Sequence, residues 1–315
     1  MKYIIGIDVG GMSAKGGLFD ENGTLLRTQT VKTQKEDGFD KTVENIAQLC
    51  KQLSSAQQID FAQVEGIGVG VPGAVDGKNG VVIAWGNFAW YNVPFAQRLS
   101  ECTGKRVFIG NDANVAALGE ARFGASSQYE SSVLLTLGTG IGSGFVVDGR
   151  IIEGYRGTLE LGHFVLYPNG YDCVCGKKGC FEKYASATAL IEKTKNAMLK
   201  APDSILWDIV GKSIDAVDGK TVFLGLEKQD KTAIKVLSRY VDYLADGIVH
   251  VINTLHPEAI LLGGGIANAG EVLLRPLKEQ IKKIGYSGMD FAPVKLETAK
   301  LGNQAGIYGA FVLAE

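Results

Sequence analysis

The sequence predicts an internally duplicated α/β protein, and three observations carry that expectation. A strand, glycine turn, strand, turn, strand module occurs twice, as "YIIGIDVGGMSAKGGLFDENGTLL" near the start and as "SSVLLTLGTGIGSGFVVDGRII" over 131–152, alike in kind and spacing. Segments with apolar residues at helical spacing alternate with short apolar runs, the pattern of sheets layered with helices. The length of 315 residues exceeds one ordinary core and suits two domains of roughly 150 residues each.

The elements follow in order. Residues 4–9, "IIGIDV", read as a buried strand, Gly10-Gly11 turns the chain, "AKGGLFD" is a second strand, and "TLLRTQTVK" after the "ENG" turn is a third. A dinucleotide-binding fold would enter a helix after its first glycine turn, so the meander is a different design. Residues 39–56 have helical spacing and lead into "VEGIGVGVPGAV", a strand with a glycine- and proline-rich end. "VFIGNDANVAALGEARFG" (107–124) puts Asn111-Asp112 where a strand passes into a helix. Past the second module, 230–255 is a long amphipathic helix and 258–285 reads as strand, glycine turn, helix; the polar stretch 201–229 reads as short helical excursions. The two halves are expected to close on a cleft, each offering one glycine turn to phosphate.

Composition removes several function classes. A net charge of −2 gives no electrostatic reason to expect nucleic acid or an anionic membrane as partner. The N-terminal apolar run is too short for a signal peptide, and no apolar stretch reaches the length of a membrane span. The expected compartment is a reducing cytoplasm, where clustered cysteines are metal ligands or redox groups more often than disulfides.

Glycine turns approach phosphate because a residue without Cβ lets backbone N–H groups point at the anion. Gly10-Gly11-Met12-Ser13 and Gly138-Thr139-Gly140-Ile141-Gly142 occupy equivalent points of the repeat, and Gly263-Gly264-Gly265 could pass under an adenine or ribose. Either turn alone would also suit an ordinary hairpin. Gly68-x-Gly70-x-x-Gly73 matches a dinucleotide fingerprint by letters, but Pro72 follows where a helix should open. The "GKS" and "GKT" at 211–213 and 219–221 lack the first P-loop glycine, having Leu206 and Ile214 there. Asp8 ends a buried strand beside the first turn, as a turn former or as a carboxylate holding Mg²⁺ against ATP phosphates. Asn111-Asp112 read either as a helix N-cap or as a general base; a helix start lowers a carboxylate's proton affinity and burial raises it.

"CVCGKKGC", Cys173 to Cys180, gathers three of the chain's five cysteines. Gly176 and Gly179 permit a tight knuckle that points the thiolates inward, and tetrahedral zinc needs a fourth ligand. Of His163, His250 and His256, only His163 stands at loop-like distance from the thiols; a Cys₃His site from His163, Cys173, Cys175 and Cys180 leaves no open position, so the zinc would be structural. Redox use is the alternative, which the C-x-C spacing disfavours. Cys50 and Cys102 look like isolated thiols.

Taken together, "IDVGG", "GVPGAVD", "GNDANVAALGE", "LTLGTGIGSG", "ELGH", "CVCGKKGCFEKYAS", "LLGGG" and "LGNQAGIYGA" resemble the ROK family of repressors and sugar kinases, along nearly the whole chain and most closely its bacterial glucokinases. The resemblance implies the actin-like (ribonuclease H-like) ATPase fold, with a first domain over 1–113 completed by a final helix at 303–315 and a second over 114–302. It implies ATP-dependent phosphorylation of a hexose, foremost glucose, on its 6-hydroxyl, with Asp112 as base. Gly73, Asn87, Asn111, Glu160, His163 and Glu182 would contact the sugar, and His163 would also ligate zinc. Gly10, Gly11, Ser13, Lys15, Gly138, Thr139, Gly140, Gly264 and Gly265 would bind ATP, with Mg²⁺ at Asp8. The alternatives are N-acetylmannosamine, N-acetylglucosamine, fructose or a β-glucoside as substrate, or a sugar sensor of weak catalysis. A DNA-binding repressor of this family resembles the chain with a helix-turn-helix segment added in front, and here the phosphate turn starts within about ten residues of the N-terminus. The family resemblance favours a homodimer or a dimer of dimers. Two residues depart from the family pattern: Met12 where threonine is usual, and Leu159 where a small residue precedes the glutamate of E-x-G-H.

Overall fold

The computed structural model describes residues 2–155, 159–285 and 293–315. The chain forms two compact units, one of Met1–Leu134, Gly144–Leu159 and Lys300–Glu315, the other of Leu135–Ser143 and Glu160–Ala299. The repeat read from the sequence is present as two five-stranded sheets of the same design. In the first, β1 (Tyr3–Val9), β2 (Ser13–Asp20), β3 (Leu25–Lys32), β4 (Val64–Val71) and β8 (Arg106–Asn111) lie in the order β3-β2-β1-β4-β8. In the second, β9 (Ser131–Leu137), β10 (Ile141–Val147), β11 (Arg150–Ile152), β12 (Ala259–Gly263) and β13 (Lys295–Thr298) lie in the order β11-β10-β9-β12-β13. Each is a meander followed by parallel additions, which need long crossover segments and therefore helices between strands.

In the first sheet β1 pairs antiparallel with β2, placing Asp8 opposite Lys15, and parallel with β4, placing Asp8 beside Gly70. Gly70 in turn pairs with Gly110 of β8. The register thus sets Asp8 and the Asn111-Asp112 corner at the same carboxyl edge of the parallel strands, where α/β proteins place ligands. One face packs on α1 (Gly38–Ser55) and α2 (Phe95–Thr103), with Ile5, Ile7, Leu49, Leu53, Ile67, Val69 and Phe95 buried in the core between them. The other face takes α3 (Asp112–Phe123) and α10 (Ala305–Ala314), which packs on β1, β4 and α3. Alternation turns Gly6 and Gly68 toward α10, and a Cβ on either would collide with the helix backbone at Ile307 or Ala310. The glycines that weaken strand propensity are thus what lets a helix lie directly on the sheet.

Buried Glu120 of α3 accepts the N–H groups of Ala125 at 2.8 Å, Lys300 at 3.1 Å and Leu301 at 2.7 Å, tying the returning chain to α3. A third sheet is formed by β5 (Ala74–Asp76), β6 (Val81–Trp85) and β7 (Trp90–Val93). Its strands are short and glycines stand in the connections between them, while Trp85, Phe88 and Trp90 bury their rings against one another; aromatic packing, not strand length, holds the sheet.

In the second unit, α4 (Glu182–Ala185) and α5 (Ala187–Leu199) follow the cysteine knuckle, and α6 (Leu206–Ile209) and α7 (Thr221–Glu227) are the short helices expected in 201–229. The long helix α8 (Lys231–Leu255), capped by Asp230 through the N–H of Ala233, packs with α9 (Glu271–Ile284). No helix among the described residues is long and apolar enough to cross a membrane.

Candidate active site

At the first unit's strand edge, the Asn111 side chain completes the start of α3. Its Oδ1 accepts the N–H groups of Ala113 at 3.0 Å and Asn114 at 3.1 Å, and its Nδ2 donates to the carbonyl of Gly73 at 3.0 Å. The cap therefore belongs to Asn111, whose amide side chain serves the helix start with its oxygen and Gly73 with its nitrogen. Gly73 holds φ at +89°, a conformation that suits glycine, and a Cβ there would strike the backbone of Ala84. Asp112 is the first residue of α3, and its Oδ1 accepts the N–H of Ala113 at 2.9 Å. Burial raises the proton affinity of Asp112, against the opposing pull of the Ala113 N–H, its own N–H and the Asn111 side chain.

Asp8 is likewise raised, to about 6, first by burial and then by the charge of Asp112, with Lys15 working in the other direction. Two carboxylates that feel each other beside one lysine form a site that a divalent cation would relieve, and the oxygen donors suit Mg²⁺. Lys15 donates to the carbonyl of Asn303 at 3.1 Å. The first glycine turn is closed by Gly10 N–H to Ser13 carbonyl at 2.9 Å; the N–H groups of Gly11 and Met12 donate to no protein group among the described residues. Ser13 opens β2 on the exposed side, and the Met12 side chain is 88% exposed. Asn87 lies exposed on a 3₁₀ turn, Gly86–Phe88, and no hydrogen bond joins it to Asn111 or Asp112 among the described residues.

In the second unit, the turn between β9 and β10 is closed by Gly138 N–H to Gly140 carbonyl at 3.0 Å, while the N–H groups of Thr139 and Gly140 have no protein acceptor among the described residues. Such a turn is a nest ready for an anion. It is held from outside by α5, with Ala187 N–H on the Gly138 carbonyl at 2.9 Å and Thr188 Oγ1 on the Thr139 carbonyl at 2.8 Å. Gly264, at φ +80°, passes beside the Leu137 backbone with no room for a Cβ, whereas Gly265 has open space around it.

Glu160 begins the 3₁₀ turn Leu161–His163, its carbonyl accepting the His163 N–H at 3.0 Å, and Leu161 N–H is held by Ser143 Oγ at 3.1 Å. The knuckle is built as its glycines suggest: Gly176 and Gly179 have φ of +85° and +81°, and antiparallel bridges join Val165 to Cys180 and Asp172 to Lys178. His163, Cys173, Cys175 and Cys180 bring their ligand atoms within 4.8 Å of one another, with His163 Nδ1 at 3.6 Å from Cys173 Sγ and Cys175 Sγ at 3.5 Å from Cys180 Sγ. A tetrahedral ion with Zn–S of about 2.3 Å needs ligand atoms about 3.8 Å apart, so the donor set fits zinc. Without an ion, burial and the neighbouring thiols push Cys180 up to about 12, the cost a bound cation removes. Cys50 and Cys102 stand outside the cluster, and His250 is taken up by the Asp246 carbonyl at 2.7 Å.

The family resemblance implies a sugar contact for Glu182, and the structure adds a contact with the glycine turn. Its Oε2 accepts the Ile141 N–H at 3.1 Å, and a Cβ on Gly140 would run into the same carboxylate. Nothing local signals this pairing, because 41 residues separate the partners.

Against known proteins, the ROK family model matches residues 4–315. A glucokinase of Thermotoga maritima is 37% identical over 310 residues, covering 98% of this chain and 95% of that protein. Among solved structures, a ROK family glucokinase from Streptomyces griseus, in complex with glucose and AMPPNP, superposes with a TM-score of 0.83 at 31% identity over 99% of both chains. A ROK family transcriptional regulator, described as a homologue of the E. coli MLC protein, superposes with a TM-score of 0.86 at 26% identity over 99% of this chain and 77% of that one. The actin-like ATPase architecture expected from the motifs is the fold of these neighbours.

Proposed function

The chain belongs to the ROK family, and on that premise we propose that it transfers the γ-phosphoryl group of ATP to the 6-hydroxyl of a hexose, glucose foremost. The observation that carries the reading is Asp112: a buried carboxylate of raised proton affinity at the carboxyl edge of the parallel strands, beside Asp8. That carboxylate would take the hydroxyl proton as the sugar oxygen attacks phosphorus in line, and positioning and charge stabilisation supply the rest. The open N–H groups at Gly11, Met12, Thr139 and Gly140 would receive phosphate oxygens, with Gly10 and Gly138 shaping the turns and Lys15 adding charge. Ser13 would add a hydroxyl, and Gly264 and Gly265 would give the nucleoside a close backbone approach. Asp8 would hold Mg²⁺, which neutralises phosphate charge.

Gly73, Asn87, Asn111, Glu160, His163 and Glu182 would recognise the sugar, and the zinc set would fix the loop that carries three of them. We place the enzyme in the cytoplasm as a homodimer or a dimer of dimers. A sugar sensor without catalysis gains little support from Met12, since its side chain is 88% exposed and the turn offers N–H groups without a hydroxyl at that position. The deciding experiment is coupled-assay turnover with ATP and Mg²⁺ across glucose, mannose, fructose, N-acetylmannosamine, N-acetylglucosamine and a β-glucoside. Glucose should give the highest kcat/KM; absence of turnover with every sugar would leave the sensor.

A further inference from the structure

We infer that Glu182 is a positioning residue for the nucleotide turn Gly138–Gly142, so that the zinc loop governs ATP binding as well as sugar binding. This rests on the kinase reading and deepens it. Oε2 of Glu182 holds the Ile141 N–H at 3.1 Å, directly after the two N–H groups that stay open for phosphate. Gly140 has no side chain where that carboxylate sits. Glu182 follows the zinc ligand Cys180 by two residues and opens α4, while Ala187 and Thr188 of the adjoining α5 grip the carbonyls of Gly138 and Thr139. The turn is therefore clamped by the segment that leaves the knuckle: a carboxylate on its outgoing N–H, and a helix start on its two carbonyls.

The other oxygen of Glu182 has no protein partner among the described residues, which leaves it open to a sugar hydroxyl. One carboxylate touching both ligands' sites makes their affinities depend on each other, and that dependence is reciprocal. A glutamine at 182 keeps an oxygen able to accept the Ile141 N–H, whereas alanine leaves that donor without a partner. The positioning role thus separates the two replacements, which a merely structural role would not do.

The test measures binding of a non-hydrolysable ATP analogue with Mg²⁺, with and without glucose, for the zinc-loaded protein and its Glu182→Gln and Glu182→Ala variants, together with amide exchange at Ile141. Glu182→Ala should raise the analogue's Kd about tenfold without sugar and speed Ile141 exchange. Glu182→Gln should stay within about twofold on both counts while losing glucose affinity. Stripping zinc from the parental protein should also speed Ile141 exchange, which keeps the test alive should the alanine variant fail to fold. Unchanged Ile141 exchange in zinc-free protein, or parental analogue affinity in a folded Glu182→Ala, overturns the inference and leaves the kinase reading standing. A parental protein that binds no analogue overturns both.

Discussion

The two glycine turns occupy the same point of a repeated module, yet they obtain their charged neighbours in opposite ways. The first turn finds them within its own strands: Asp8 and Lys15 face each other across the β1–β2 pair. At the corresponding positions of the second module stand Thr136 and Ser143, neutral residues. That turn borrows its carboxylate, Glu182, from beyond a cysteine knuckle, and its carbonyls are held by the start of α5. A duplicated backbone thus carries two divisions of labour. The first unit gathers two carboxylates at a sheet edge, where burial raises Asp8 and Asp112 together; the second has a neutral turn that is hydrogen-bonded by residues distant in sequence.

The largest effect that would break this contrast lies at Asp112. Because Asn111 already caps α3, Asp112→Asn should fold with near-parental Tm and still bind hexose, yet lose at least about a hundredfold in kcat, in line with removal of a general base. Near-normal turnover would move the chemistry away from this edge, with Glu160 the next residue to test. The pH profile supplies a sign: with Asp112 raised, kcat/KM should fall as pH drops through that elevated range, and the fall should be absent from the residual activity of Asp112→Asn.

A smaller effect concerns stability. In the unfolded chain an aspartate titrates near 3.9, and in the folded protein Asp8 titrates at about 6. The fold therefore prefers the protonated form, and stability is lost as pH rises from about 4 through about 6 and Asp8 ionises. Asp8→Asn should stabilise the ligand-free protein by roughly 2–3 kcal/mol near pH 7.5 and by almost nothing below about pH 4. Denaturant unfolding at the two pH values checks this. Equal stability throughout would mean that Lys15 already compensates the buried charge.

The smallest change is expected at Met12. Its side chain stands in solvent, and the turn's bonds, among them Gly10 N–H to the Ser13 carbonyl and Thr33 N–H to the Met12 carbonyl, use no atom of the Met12 side chain, so Met12→Thr should leave the KM for ATP equal or lower. A large rise would show that the exposed thioether has a role at the first turn that has no counterpart at the second.

Much of this was legible locally. Strand, turn and helix periods placed β1 to β3, α1, β9 to β11 and α8 within a residue or two, because each follows from side chains a few positions apart. The knuckle was legible for the same reason: three thiols and two glycines in eight residues leave few geometries, and His163 completes the set. The small sheet of β5 to β7 was not, since its stability comes from tryptophan and phenylalanine rings packing against one another rather than from strand propensity.

The repeat, the positions of both glycine turns, the metal ligand types and the carboxylates Asp8 and Asp112 are all written locally in the chain. Short-range sterics and side-chain chemistry suffice for each of these. Folding sets the rest: Asn111 rather than Asp112 caps α3, Glu120 fastens the returning C-terminal segment, and Glu182 accepts an N–H of the second turn. Which oxygen accepts which N–H depends on where folding brings segments 41 or 181 residues apart, and no local preference encodes that meeting.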